Sequence, residues 1–300
     1  ERPGLRELEV LECVAREGNF SAAARALGLA RADVSRIIAR LEQRLALRLC
    51  TRTTRQVALT EAGRELVARV SPALREIHAA LDSASDHGQA LSGVIRLSCS
   101  HAFGRHYLLA PLAEFAAMHP GVDIQLSLND RFDNLLARSL DIAIRLGSLS
   151  DSSMVARRIG RVAAAMYATP ALVGSQSRFT VEQLLALPAI AFRVPESGER
   201  RPWRMLRAGQ EVPLIPGRVA VDVDSIEAVC DLVRAGAGVA LAPRYLVGDD
   251  LAAGRLIELD IAGGRFAGPE AHLCFMSRSH QPRRVRELCE HLIARLPETL

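Results

Sequence analysis

The sequence predicts a multidomain α plus α/β chain: an N-terminal winged helix-turn-helix, a dimerising linker helix and a two-lobed α/β domain. Three observations predict it. Two short helical patterns flank Gly28 within NFSAAARALGLARADVSRIIARLE, residues 19–42. A narrow apolar stripe of Leu66, Val70, Leu74, Ile77 and Leu81 then runs through one long helical stretch. From Gly93 onward strand and helix patterns alternate, as in sheets covered by helices. The expected boundaries are 1–60, 61–90 and 91–300. Within the last segment, lobe I takes 91–162 and 269–300, and lobe II takes 163–268.

The first helix carries Leu5, Leu8, Leu11 and Val14 at helical spacing and ends near Gly18. Ser21 is expected to cap the second, because its hydroxyl can accept a free backbone N–H. Ala22, Ala23, Ala24 and Ala26 favour helix and permit a close crossing. Leu27 ends that helix, and Gly28 supplies the left-handed turn residue. Val34, Ile37, Ile38, Leu41 and Leu45 then recur on one face of a third helix. Arg31, Ser35, Arg36 and Arg40 share the rest of its surface, a pattern suited to the DNA major groove. In LRLCTRTTRQVALTEAG, residues 47–63, Val57 and Leu59 alternate with Gln56 and Ala58 as in a short strand. Arg52, Thr53, Thr54 and Arg55 form its basic tip, a wing suited to phosphate contact. Thr60 is the expected cap of the next helix, which runs to about His87.

The stripe on that helix has spacings of 4, 4, 3 and 4 residues. That is a coiled-coil seam and implies a dimer. Pro72 falls inside it, where it either kinks the helix or starts a fresh first turn after Ser71. Residues 83–92 are small and polar and are read as a hinge. Strands are then expected at 94–100, 122–128, 141–147, 189–194, 217–223, 239–243 and 271–277. Helices are expected at 103–120, 132–140, within VEQLLALP, at 225–238 with Ser225 as cap, and at 282–296. A further strand set opens near 162–170. The sheets are expected to be mainly parallel.

Composition narrows the function. Hydrophobic residues make up 49% of the chain and aromatics 4%, so aliphatic side chains must fill the core. No apolar run approaches the ~20 residues of a membrane span. The charged start, ERPGLRELEV, lacks the apolar core of a signal peptide, so a cytoplasmic protein without membrane partners is expected. Glu1 is not Met, and residues are expected to precede it. Six scattered cysteines without a CxxC fit reduced thiols used as small core groups. Residues 1–64 hold 12 arginines against 8 acids, and the remainder 26 against 26, so the net charge of +4 sits with the helix pair. A local excess of that kind points to a polyanion partner. Every basic residue is Arg, a bias that a GC-rich genome produces without a functional cause.

The chain resembles the LysR-type transcriptional regulators of bacteria over nearly all of its 300 residues. FSAAARALGLARADVSRIIARLE followed by LRLCTRTTRQVALTEAG carries the specific part. DIAIRLG (141–147), DSSMVARRIG (151–160) and VRAGAGVALAP (233–243) look like the family's effector-domain signatures. The resemblance implies a winged helix-turn-helix joined through a dimerising helix to a periplasmic-binding-protein-like effector domain. It also implies homodimers or homotetramers, promoter double-stranded DNA, a small-molecule effector and RNA polymerase as partners, and no cofactor. The expected DNA-binding residues are Ser21, Arg31, Ala32, Ser35, Arg36 and Arg40, with Arg52, Thr53, Thr54 and Arg55 on the wing. Where the family has Ser, Gln and Ser at the recognition helix, this chain has Ala30, Arg31 and Ala32. Ala30 has no side chain to cap with, and Arg31 in place of an amide favours guanine. Ala46 and Cys50 stand where the family has Gly and Phe.

Ligands of α/β sheets sit beyond strand C-termini, near helix starts. That rule selects Ser100, His101, Ser127, Asn129 and Arg145 in the first lobe, and Arg193, Asp224 and Ser225 in the second. Two arginines with hydroxyls suit a small organic anion held by a two-pronged hydrogen bond. The competing reading of Arg145 and Arg193 is a structural ion pair or solvent exposure. His106 is read as an ordinary surface histidine. Catalysis is not expected: Ser100, His101 and Asp224 make a poor triad because neighbours on a strand point to opposite faces. The histidines show no metal-ligand spacing. Two alternatives remain: a solute-binding protein, and a thiol redox-sensing regulator using Cys99 and Cys230.

Overall fold

In the computed structural model, the described residues are 3–52, 57–85, 90–130, 140–147, 149, 155–174, 176, 178–195, 197–275, 281–297, 299 and 300. The N-terminal unit is α1 (Leu5–Glu17), α2 (Phe20–Leu27), α3 (Arg31–Leu45) and the antiparallel hairpin β1 (Cys50–Arg52) and β2 (Val57–Leu59). Its core is Val10, Leu11, Val14, Phe20, Ala23, Val34, Ile38, Leu41 and Leu49. The seam of α1 keeps Leu11 and Val14 of the expected one, with Leu8 packed against the core, and widens to include Val10 and Cys13; Leu5 is exposed. Ser21 does not cap α2. Asn19 does, with extended backbone and Oδ1 accepting the Ala22 N–H at 2.7 Å. Starting the helix earlier buries Phe20, and Ser21 is left exposed within the first turn. Gly28 closes α2 at φ +63°, a region costly for residues with a Cβ.

Two contacts lock the wing to this unit. Glu42, in the last turn of α3, accepts the N–H groups of Leu49 (2.7 Å) and Cys50 (3.0 Å). The Val57 N–H donates to the Gly18 carbonyl at 3.1 Å. Thr60 Oγ1 accepts the Gly63 N–H at 3.0 Å and caps α4 (Glu61–Ser85). Gly63 is needed for close approach, because a Cβ there would lie 2.2 Å from the Leu49 carbonyl oxygen. The helix runs through Pro72 unbroken. Of the expected stripe, Leu74 is buried, Leu66 and Val70 are half-buried, and Ile77 is exposed. Part of the expected hinge, residues 86–89, lies outside the described residues.

The C-terminal unit begins with β3 (Gly93–Cys99), α5 (His101–Phe103), a π-helical turn at Gly104–Leu108 and α6 (Leu109–Met118). Then come β4 (Val122–Leu128), β5 (Ile142–Leu146) and β6 (Val155–Arg161). The chain crosses into the second lobe through β7 (Ala164–Ala168), α7 (Pro170–Val173), β8 (Arg178–Phe179), α8 (Val181–Ala186) and β9 (Ala189–Phe192). A hairpin of β10 (Trp203–Arg207) and β11 (Gln210–Leu214) precedes β12 (Val219–Val223), α9 (Ile226–Arg234) and β13 (Ala240–Pro243). After these come α10 (Arg244–Ala252), β14 (Ile257–Glu258), β15 (Asp260–Ile261) and β16 (Arg265–Phe266). The chain returns to the first lobe with β17 (Glu270–Phe275) and α11 (Arg283–Arg295).

Lobe I is a five-stranded sheet in the order β4-β3-β5-β17-β6, packed on Phe103, Leu108, Phe115, Leu288 and Leu292. Lobe II pairs β12 with β9, and β7 with β13 and β14 on its two sides, joined where the Ile190 N–H donates to the Val239 carbonyl. The sheets are not mainly parallel. β17 is antiparallel to β5 and β6, and β13 and β14 are antiparallel to β7. The reason is the double crossover: a returning strand enters the first sheet from the other lobe and runs against its neighbours. The expected helix at 132–140 lies largely outside the described residues. Among the described residues, no helix is long and apolar enough to cross a membrane.

Candidate functional site

Two regions gather the residues singled out from the sequence. The first is the outer face of α3. Val34, Ile38 and Leu41 turn inward at 1% exposure or less, which holds Arg31, Ala32, Arg36 and Arg40 outward and exposed. Ser35 is half-buried between the two faces. Arg36 pairs with Asp33 in the first turn. Ala30 precedes the helix in extended conformation without a side-chain cap. Arg44 is turned away from this face and holds Glu7 at 2.9 Å. The Gly4 N–H, and then Arg44, keep the Glu7 carboxyl below the usual carboxylate range. Arg52 ends β1, and Thr53, Thr54 and Arg55 lie outside the described residues.

The second region is a cleft of about 470 Å³ between the lobes, lined by His101, Arg105, Leu128, Asn129, Asp130, Ser225 and Glu227. Strand ends and helix starts build it, as the geometry of α/β sheets dictates. Ser225 caps α9 by accepting the Ala228 N–H at 3.3 Å. From the first turn of α9, Glu227 Oε1 reaches across to His101 Nδ1 at 2.9 Å. The other oxygen, Oε2, accepts from Ser225 Oγ at 3.1 Å. Asp130 Oδ1 accepts the His101 backbone N–H at 3.0 Å. Burial pushes the Asp130 carboxyl above its ordinary range, against that hydrogen bond. One polar strap therefore joins the lobes: Asp130 to His101 to Glu227 to Ser225.

The remaining expected residues sit elsewhere. Ser100 Oγ is buried beside the Cys99 thiol, with no oxygen or nitrogen partner among the described residues. Arg145 is 5% exposed in β5 and is not among the cleft-lining residues. Arg193 lies 3.8 Å from both Asp222 and Asp224, in a cluster that Arg200 completes at 2.7 Å from Asp222. Ser127, in β4, is half-buried and outside the cleft lining. His106 is exposed but does not stand free: its ring packs 4.8 Å from Tyr245 of lobe II, and Tyr107 packs 5.1 Å from the same ring. Sequence reasoning missed Arg105, Asp130 and Glu227. Their positions one turn into a helix or just past a strand end were the available signal.

The six cysteines are buried and unbridged. Burial pushes the Cys99 and Cys230 thiols up to about 12. Both stay protonated at neutral pH, the wrong state for a redox-sensing nucleophile. No group of three His, Cys, Asp or Glu residues suited to a metal occurs among the described residues.

Comparison with known proteins matches both units. A model described as a bacterial regulatory helix-turn-helix protein of the lysR family matches residues 5–64, and a LysR substrate binding domain model matches residues 88–297. The chain is 35% identical to the HTH-type transcriptional regulator PgrR of Escherichia coli K12 over 245 residues, 81% of each chain. It is 33% identical to the HTH-type transcriptional regulator CrgA of Neisseria meningitidis serogroup C over 256 residues, 84% of each. The solved structure of CrgA, a LysR-type transcriptional regulator from Neisseria meningitidis, superposes with a TM-score of 0.56 at 29% identity, covering 98% of this chain and 99% of that one. A full-length OxyR variant from Pseudomonas aeruginosa shares the fold, with a TM-score of 0.75 at 18% identity over 98% of this chain and 94% of that one.

Proposed function

Because the chain belongs to the LysR family of bacterial transcriptional regulators, with a DNA-binding helix-turn-helix and an effector-binding domain, we propose how its own residues divide that work. Arg31, Ser35 and Arg36 read or position the major groove, with Ser21, Ala32 and Arg40 flanking them. Arg52, Thr53, Thr54 and Arg55 hold the backbone from the wing. The carrying observation is the outer face of α3, exposed at Arg31, Ala32, Arg36 and Arg40 opposite the buried Val34, Ile38 and Leu41. Two such helices, one from each protomer of a dimer joined through α4, meet promoter DNA at paired half-sites. The protein works in the cytoplasm as a homodimer or homotetramer, touches RNA polymerase at its promoters and catalyses nothing.

The test is an electrophoretic titration of promoter DNA with wild type, Arg31→Ala and Arg36→Ala. Each substitution is expected to weaken binding by roughly tenfold or more, since a good base contact is worth about 1–3 kcal/mol. Raising the salt concentration should weaken the wild type steeply. Unchanged affinity in both variants would sink the assignment.

The effector is a small organic anion held between the lobes. Arg105 is the cleft's own guanidinium, and Asn129 and Ser225 supply neutral hydrogen-bonding groups. Both Glu227 oxygens are engaged by His101 and Ser225. Closing on a ligand re-forms or breaks the His101–Glu227 strap and so changes the lobe angle. Arg105→Ala is expected to abolish the thermal shift that an anionic effector gives the wild type; a retained shift would move the anchor elsewhere.

A further inference from the structure

A second, larger cavity of about 700 Å³ lies away from the cleft and shares none of its lining residues. Its walls include both crossovers between the lobes. Val162 and Ala163 join β6 to β7, and Ala267 follows β16 on the way back to β17. The lining also includes the apolar residues Ala164, Leu206 and Phe266. The charged residues around it are nearly all committed. Arg161 is held by Glu270 at 3.0 Å, Arg244 by Glu258 at 2.6 Å, and Glu211 by Arg204 at 3.4 Å. Arg265 is the exception: it is exposed and has no ion-pair partner among the described residues. Tyr167 also lines the cavity. Its side chain is fully buried, and its hydroxyl lies beside Arg244 without a hydrogen bond of normal geometry. Burial pushes that phenol up to about 12, so it remains a donor at neutral pH.

We propose that this hinge cavity is a second ligand site, distinct from the interlobe cleft, for a singly charged organic acid with an apolar body. The uncommitted Arg265 guanidinium takes the carboxylate, a charge-assisted contact. Leu206, on the same sheet face as Arg265, takes the body together with the other apolar lining residues Ala164 and Phe266. A volume of this size is ordinary for a small-molecule site. Because both crossovers form its walls, a molecule bound there fixes them relative to one another.

Full-length protein is titrated with octanoate and 4-phenylbutyrate, and with the matching alcohols, octanol and 4-phenylbutanol, by calorimetry. Amide hydrogen exchange is followed on the same samples. At least one acid is expected to bind saturably, about tenfold or more tighter than its alcohol, since a hydrogen bond to a charged group is worth that much. Arg265→Ala should erase the difference between acid and alcohol while leaving DNA affinity unchanged. Protection should rise at residues 161–165 and 265–267. The proposal is overturned if neither acid saturates, if Arg265→Ala binds the acid as wild type does, or if protection appears at residues 101–106 and 225–229 instead.

Discussion

Single carboxylates do much of the local work in this chain. Asp250 is 5% exposed and takes Arg234 Nε at 2.7 Å and Arg255 Nε at 2.8 Å. Burial opposes its ionisation, but the two arginines outweigh burial and hold its carboxyl below the usual value. Its folded pKa is lowered, so the stability it contributes is complete above the unfolded value near ~3.9 and is lost as pH falls through the folded one. Asp250→Asn should therefore cost about 1–3 kcal/mol at pH 7, discounted because both arginines are partly exposed. Denaturant titrations at several pH values should show the gap to wild type narrowing below about pH 4; a gap that widens in acid would contradict this account. The cap of α2 shows the limit of reading single residues. Asn19 and Ser21 are both good caps by type. The burial of Phe20, a property of the folded unit, decides between them.

At the scale of elements, the wing depends on α3 and α4 more than on its own short strands. Glu42 satisfies two buried N–H groups of the wing, and Gly63 lets α4 pass under the Leu49 carbonyl. Glu42→Ala should cost about 2–4 kcal/mol by orphaning both donors. Gly63→Ala should cost about 1–3 kcal/mol through overpacking. Thermal melts check both, and losses under ~0.5 kcal/mol would show that the wing is held otherwise. The helices and most strands of this chain were legible because apolar residues recur at period 3.6 or 2 beside Gly, Ser and Thr caps. β6 was not: its arginines at 157, 158 and 161 break the apolar alternation that marks a strand. The hairpin of β10 and β11 was hidden because four of the five β11 residues face solvent, including Pro213. The antiparallel return of β17 was illegible for another reason. Strand direction is fixed by where the chain re-enters the lobe, which no local pattern records.

For the whole molecule, the two candidate sites differ in how local they are. The outer face of α3 is written into one helix, so its exposed arginines could be named from spacing alone. The cleft is assembled from three segments of two lobes. The rule of strand ends and helix starts reaches His101, Asn129 and Ser225. It does not reveal that Glu227 spans the gap or that Arg145 stays buried within β5. An effector at about 100 times its Kd should stabilise the protein by roughly 2.7 kcal/mol, a shift of several degrees. Glu227→Gln weakens the strap and is expected to change that shift without altering DNA affinity in the effector's absence. If it altered neither, the strap would be incidental to sensing.

The central claim is that α3 gives this regulator its sequence specificity. Selection of binding sites from a random pool of duplex DNA tests it most directly, with wild type and Arg31→Ala carried in parallel. Wild type is expected to enrich a two-fold related pair of half-sites with guanine opposite Arg31, and the variant to lose its preference at that position while keeping the rest. The same enriched site from both proteins, or no enrichment from wild type, would contradict the account.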